Sequence, residues 1–171
     1  IVTLEGRING LEVKQNEFEA GTFSDTTTLD GKAIFSVGGA ETDDVGGMDG
    51  KLQANYTYTM NLNTSFTGDD NLYVRLKTGN HTGYSVTKGE QNTYLSAGKS
   101  ATDDALAVDK IWYSTAVNDN HTLWFGPRIE NYYMHATTPS IYKPVLKAFT
   151  LGGNAAAYGA STSPGAGWSY V

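Results

Sequence analysis

A run of two-residue alternation from Leu52 to Phe66 constrains the fold of this chain more than any other feature. One face of the run carries apolar or aromatic side chains except at Thr64, and the other carries only Asn, Gln, Ser and Thr. A period of two indicates a β-strand whose faces meet different surroundings. Strands of globular proteins usually have about five or six residues, whereas a tilted bilayer-spanning strand needs about 9 to 11. The run therefore predicts a transmembrane β-strand, although the strands of a soluble β-sandwich also alternate.

Further segments repeat this alternation less regularly. They cover residues 26–38, 72–78, 109–117 and 121–130, and a last strand begins near Trp168. Together with the first run, they make about six strands. The sequence therefore predicts an all-β, antiparallel transmembrane β-barrel, of which this chain carries only a part, because the smallest outer-membrane barrels have about eight strands.

The connections between the predicted strands alternate in length. Long connections cover residues 38–50, 79–104 and 130–165, while tight turns cover 67–71 and 118–120. Outer-membrane barrels have short periplasmic turns and longer outer loops. A soluble sandwich has no reason to keep this order. The loop lengths therefore favour the barrel and predict that the tight turns face the periplasm.

The first 21 residues follow a different period. Apolar side chains occupy a and d positions of a heptad, with Gln15 as the polar exception: Ile1, Leu4, Ile8, Leu11 and Phe18. This pattern predicts the end of a periplasmic coiled coil over residues 1–21, followed by the barrel segment over 22–171. The alternative is a short helix packed on a domain.

Composition and charge exclude several classes of function. The net charge is −6 and Lys and Arg are not clustered, which argues against nucleic acid as a partner. No apolar run is long enough for a transmembrane helix. The chain has no cysteine, so it contains no disulfide framework and no thiolate zinc site.

Signals of catalysis or metal binding are weak. The acidic pairs at 43–44, 69–70 and 103–104 lie in predicted turns or loops, where Asp is favoured because it hydrogen-bonds the local backbone. The histidines His81, His121 and His135 lack the spacing of a helical metal site. We therefore expect no enzyme activity, no cofactor and no metal.

The polar faces of the predicted strands would line a water-filled lumen. The predicted pore-lining residues are Lys32, Asn55, Thr57, Thr59, Asn61, Arg75, Lys77, Lys110, Arg128 and Glu130. Five bases against the acids Asp30, Asp109 and Glu130 predict a mild preference for anions. In the alternative, these charges pair across the wall and set no selectivity.

The segment 131–164 is too rich in aromatic and apolar residues for a solvated loop and too irregular for a strand. We expect it to fold into the lumen and to narrow it. The predicted constriction residues are Tyr132, Tyr133, Tyr142, Lys143, Lys147 and Phe149. The alternative is a loop that contacts a neighbouring subunit.

Three stretches of the chain carry a family resemblance: TTTLDGKAIFSVGG, LNTSFTGDDNLYVRLKTGN and WFGPRIENYYMHATTPSIYKPVLKAFTLGGNAAAYG. They resemble the barrel of cyanobacterial outer-membrane porins, which belong with the carbohydrate-selective OprB porins. The resemblance implies a barrel of about 16 strands, a trimeric assembly, and an upstream S-layer-homology domain that binds peptidoglycan. The expected partners are small solutes, outer-membrane lipid and lipopolysaccharide.

The function expected from the sequence is a passive outer-membrane channel for small solutes such as sugars and inorganic ions. Its solutes would move down their gradient along the polar strand faces. The alternative is a soluble β-sandwich that acts as a carbohydrate-binding or cell-surface module. A glycosidase would need two acids facing each other across a cleft, which the turn-bound Asp pairs do not supply.

Overall fold

The computed structural model of the chain describes residues 7–8, 11, 22–24, 26–39, 52–81, 95–97, 104–134, 145 and 162–170. This part is all-β. Seven strands form one antiparallel sheet in sequential order: β1 (Thr22–Ser24), β2 (Thr27–Gly38), β3 (Gln53–Thr64), β4 (Asp70–Gly79), β5 (Ala107–Asn118), β6 (His121–Glu130) and β7 (Thr162–Tyr170). A short 3₁₀ helix, Asn131–Met134, follows β6. No helix among the described residues is long and apolar enough to cross a membrane.

The structure confirms the all-β antiparallel class and the strands predicted from alternation. Two differences lie at the ends of the sheet. The three-residue strand β1 was not predicted, and β7 begins at Thr162 rather than near Trp168. The residues Ser163, Pro164 and Gly165 favour a turn in the sequence, but β7 lies at the edge of the described sheet, where a proline can be accommodated.

The pairing register gives the sheet two chemically distinct faces. Residues directly opposite each other share a face, so Asn61, Arg75 and Lys110 lie in one row and Leu62, Val74 and Ile111 in the next. We call the first side the polar face and the second the apolar face. The polar face also carries Tyr73 and Trp112, which are directly paired.

Two bulges change which side chains reach each face. In β5, Asp109 is the extra residue of a bulge, between the pairs Arg75–Lys110 and Leu76–Val108. In β6, the pairs change from Tyr113–Phe125 to Ile111–Arg128, so the bulge includes Pro127. A proline has no N–H to donate, and bulges are where a sheet tolerates it.

The bulge in β6 corrects one face assignment made from the sequence. Simple alternation places Ile129 in the same row as Leu123 and Phe125, on the apolar side. In the structure, Ile129 is only 2% exposed and packs with Tyr73 and Trp112, which belong to the polar face. The extra residue in β6 shifts the parity by one.

In a soluble sheet the apolar face is buried and the polar face is exposed to solvent. In the described part of this chain, large apolar side chains are exposed and several polar ones are buried. The apolar face carries large exposed side chains: Leu29, Phe35, Val37, Val108, Val117, Leu123, Phe125, Trp168 and Tyr170. Buried groups on the other side include Thr57, Lys110 and Ser114. An apolar patch of this extent is rare on a soluble monomer and marks an interaction surface.

The described sheet is open. Its order runs from β1 to β7 without pairing between these two strands, so a closed barrel stays a prediction. The coiled coil predicted over residues 1–21 lies almost entirely outside the described residues and is likewise a prediction.

Candidate functional site

An aromatic cluster lies at the centre of the polar face. The ring of Tyr73 stacks on that of Trp112 with 4.2 Å between centroids, and Trp112 lies 4.9 Å from the ring of Tyr133. Ile129 completes the buried core, and Trp124 packs against it. Because Trp112 is only 3% exposed, the cluster is a packed core and not an open platform for a solute.

Basic side chains next to this cluster are held by acids. The Asp109 Oδ2 atom lies 3.5 Å from Lys77 Nζ and 3.9 Å from Arg75 Nη1. Lys110 forms an ion pair with Glu130, and both are buried. The structure therefore brings together three of the predicted pore-lining bases and pairs each of them with an acid. The effect of these charges on ion selectivity stays a prediction.

Asn61 joins the charged and aromatic parts of this surface. Its Oδ1 atom accepts hydrogen bonds from the Tyr73 hydroxyl at 2.8 Å and from Arg75 Nε at 2.9 Å. Its Nδ2 atom donates to Asp30 Oδ2 at 3.3 Å. The Arg75 guanidinium also lies 5.6 Å from the centroid of the Tyr73 ring. One amide thus orients an arginine and a tyrosine from the neighbouring strand.

The start of the predicted constriction segment turns onto the polar face. Tyr133, in the 3₁₀ helix, contacts the aromatic cluster, and Lys110 Nζ lies 5.9 Å from its ring centroid. Met134 packs against the aromatic core and lies beside Gly167 of β7. Tyr132 belongs to the same turn, whereas the predicted constriction residues Tyr142, Lys143, Lys147 and Phe149 lie outside the described residues.

A second long connection also reaches the polar face, which the sequence did not predict. The Thr57 hydroxyl donates to the carbonyl of Ala97 at 3.0 Å. The adjacent Ser96 N–H donates to the carbonyl of Val145 at 2.7 Å. Residues 95–97 therefore link β3 to the connection between β6 and β7. Thr57 is buried on a strand face whose composition predicts contact with water.

The other predicted pore-lining residues fall into two groups. Lys32, Asn55 and Thr59 lie on the polar face in β2 and β3. Arg128 does not, because the β6 bulge pairs it with Ile111 of the apolar face. Its Nε atom donates to the carbonyl of Asp109 at 3.2 Å. Pro127 was the sequence signal for this bulge, since proline within a strand marks such irregularities.

The tight turn between β3 and β4 is organised by Asp70. Its Oδ1 atom accepts from the backbone N–H groups of Phe66 and Thr67 and from the Ser65 hydroxyl, each at 2.8 Å. The hydrogen bond from Thr67 lowers the pKa of the Asp70 carboxyl well below its usual value, with further contributions from the hydroxyls and Phe66. The sequence expectation that this acidic pair lies in a turn that uses Asp for local hydrogen bonding is confirmed at Asp70.

A cavity of about 360 Å³ lies beside this turn, lined by Gly68 of the turn and by residues of β4, β5 and β6 that include Asp70, Ser114 and Thr122. Within the described ranges, no group of three or more His, Asp or Glu side chains is placed to hold a metal ion.

The fold and this surface define a class: an antiparallel sheet of long strands with one apolar exposed face and one polar, loop-covered face.

The chain is similar to Uncharacterized protein alr4550 of Nostoc sp. (strain PCC 7120), with 34% identity over 121 residues, which are 66% of this chain and 21% of the relative. It is also similar to Uncharacterized protein sll0772 of Synechocystis sp. (strain PCC 6803), with 33% identity over 122 residues, 70% of this chain and 22% of that protein. The chain thus spans about a fifth of the length of the curated relatives it matches. No family model and no solved structure matches it.

Proposed function

We propose that this chain forms part of the wall of an outer-membrane porin, a passive channel for small solutes such as sugars and inorganic ions. The observation that carries the proposal is the distribution of exposure. Large apolar side chains such as Phe35, 81% exposed, cover one face, while Arg75, Lys77 and Asp109 lie on the other. A transmembrane barrel needs apolar groups towards lipid and polar groups towards its lumen.

Strand length and loop length support the same proposal. Strands β2, β3 and β5 have 12 residues each, and β4 and β6 have 10. These lengths match the need of about 9 to 11 residues for a tilted strand in a bilayer. Short turns, at 65–69 and 119–120, alternate with long connections, at 39–52, 80–106 and 131–161. In this proposal the short turns face the periplasm, and the cyanobacterial relatives are consistent with a bacterial outer membrane.

The lumen would be narrowed by two connections instead of one. Tyr133 and Met134 pack on the polar face from one connection, and Ala97 contacts Thr57 from the other. The hydrogen bond between Ser96 and Val145 ties the two together. Solutes would pass beside this pair of loops without any catalytic step. A trimeric assembly and a peptidoglycan-binding region upstream belong to the same proposal.

The alternative, a soluble β-sandwich that acts as a carbohydrate-binding or cell-surface module, would need a second sheet over the apolar face. The described ranges form one sheet, and their apolar face is exposed. On the polar face, the aromatic rings of Tyr73 and Trp112 are buried and do not offer a surface on which a sugar could stack. These observations favour the porin.

Reconstitution tests the proposal. The protein, purified at its full natural length in detergent, is added to planar bilayers. We expect discrete conductance steps that persist at either sign of voltage, and recovery of the protein in the membrane fraction of cells. A protein that stays in buffer without detergent and produces no conductance would contradict the porin proposal.

A further inference from the structure

We propose that Asp109 is the residue that sets the ion selectivity of this surface, because one carboxylate restrains two bases. This inference rests on the proposed channel function. Asp109 Oδ2 is the shared partner of Lys77 and Arg75, at 3.5 and 3.9 Å.

The position of Asp109 depends on the β5 bulge. Without an extra residue, strict alternation from Lys110 on the polar face would place Asp109 on the apolar face. The bulge leaves Asp109 outside the paired register, between Val108 and Lys110. Its carboxylate then reaches the row of Arg75 and Lys77. The β5 bulge therefore places the Asp109 carboxylate on the face that carries the bases.

The other charges on the polar face are the reason for assigning the ion selectivity to Asp109. The polar face of the described strands carries four bases, Lys32, Arg75, Lys77 and Lys110, and three acids, Asp30, Asp109 and Glu130. The buried pair Lys110 and Glu130 is closed to solvent, with side chains 5% and 6% exposed. The Asp109 side chain is 26% exposed, and those of Arg75 and Lys77 are 20% and 16% exposed. An ion near this surface therefore experiences the positive charges of Arg75 and Lys77 partly offset by the negative charge of Asp109.

Neutralising Asp109 should remove the negative charge that partly offsets the charges of both bases. The substitution Asp109→Asn keeps the shape of the side chain and removes one negative charge. A unit charge at about 6 Å in water changes the local ion concentration about threefold. Because the two kinds of ion respond in opposite directions, we expect the anion-to-cation permeability ratio to rise about ninefold at low salt, and the difference to vanish near 1 M salt because of screening.

The experiment measures reversal potentials in a salt gradient across planar bilayers containing the full-length protein. Lys77→Gln should shift selectivity towards cations, and Asp109→Asn combined with Lys77→Gln should return it close to the wild type. Asp119→Asn is the matched control, because Asp119 is exposed in the turn between β5 and β6. It should leave the reversal potential unchanged.

The outcomes separate this inference from the channel proposal. If the wild type conducts and Asp109→Asn has the wild-type reversal potential, the selectivity role of Asp109 is wrong while the channel stands. If the wild type produces no conductance, the channel proposal itself fails. If Asp109→Asn yields no channels, the Lys77→Gln variant decides: an unchanged reversal potential in that variant overturns the role of this charge group.

Discussion

The hydroxyl of Tyr113 in β5 donates a hydrogen bond to Asp70 Oδ2, with 2.7 Å between the two oxygens. The other carboxylate oxygen of Asp70 accepts from the turn between β3 and β4. The Asp70 side chain thus links the tight turn between β3 and β4 to β5 by hydrogen bonds. This tight turn of the proposed periplasmic side is therefore held by specific hydrogen bonds, in addition to the pairing of the strands.

The first prediction concerns the acid sensitivity of this turn. The pKa of Asp70 is lower in the folded protein than in the unfolded chain, chiefly through the Thr67 N–H. Its contribution to stability is therefore present above the ordinary pKa of about 3.9 and is lost as the pH falls towards the folded-state pKa. We expect Asp70→Asn to destabilise the protein at pH 7 and to narrow the difference in stability between pH 7 and pH 3.

Denaturant unfolding at the two pH values measures this effect. Asp69→Asn is the matched control, because its side chain is exposed and the substitution leaves the contacts of Asp70 intact. It should retain the wild-type difference between the two pH values. An Asp70→Asn variant as sensitive to acid as the wild type would show that another group is responsible.

The second prediction concerns Trp112, whose ring packs against those of both Tyr73 and Tyr133. Truncation of a buried aromatic side chain leaves a cavity, so Trp112→Ala should lower the free energy of unfolding by about 3–5 kcal/mol. Trp168 is 66% exposed on the opposite face and gives the comparison. In detergent micelles, Trp168→Ala should lower the free energy of unfolding by clearly less than Trp112→Ala does. Equal losses for the two variants would argue against a core on the polar face.

The third prediction concerns the close approach of strands at Gly126. A Cβ atom there would lie 2.6 Å from the carbonyl oxygen of Ile111 and from Trp112 Cα. Backbone atoms cannot rotate away, so Gly126→Ala should destabilise the protein by about 1–3 kcal/mol. At Gly31 the nearest atom is the Tyr58 hydroxyl oxygen, at 3.2 Å, which can move. Gly31→Ala should change the unfolding free energy by about 0.5 kcal/mol or less, and an equally large loss would refute the steric explanation.

The sequence predicted the paired part of the sheet well because period-two alternation determines both faces of a regular strand. Thr59 and Lys77, for example, lie on the polar face as predicted. Alternation failed at Arg128 and Ile129 because a bulge shifts parity by one residue, and the hydrogen bonds that create it involve neighbouring strands. The sequence also could not predict which side chains meet across strands, such as Tyr73 and Trp112, because such contacts depend on the register.

The last prediction tests the lipid-facing assignment directly. Phe35 is 81% exposed on the apolar face, and the neighbouring pair Ser36 and Asn55 lies on the other side of the sheet. Phe35 lies between the centre and the end of β2. If the apolar face contacts lipid, Phe35→Arg should therefore destabilise the protein in phospholipid vesicles by about 1–3 kcal/mol, between the costs at the bilayer midplane and at its interfaces. Asn55→Arg should have a much smaller effect, since a charge in the lumen stays hydrated. In a soluble protein, replacing an exposed Phe35 would change stability by only about 0.5 kcal/mol. Equal stability of wild type and Phe35→Arg in vesicles would therefore count against a membrane-embedded face.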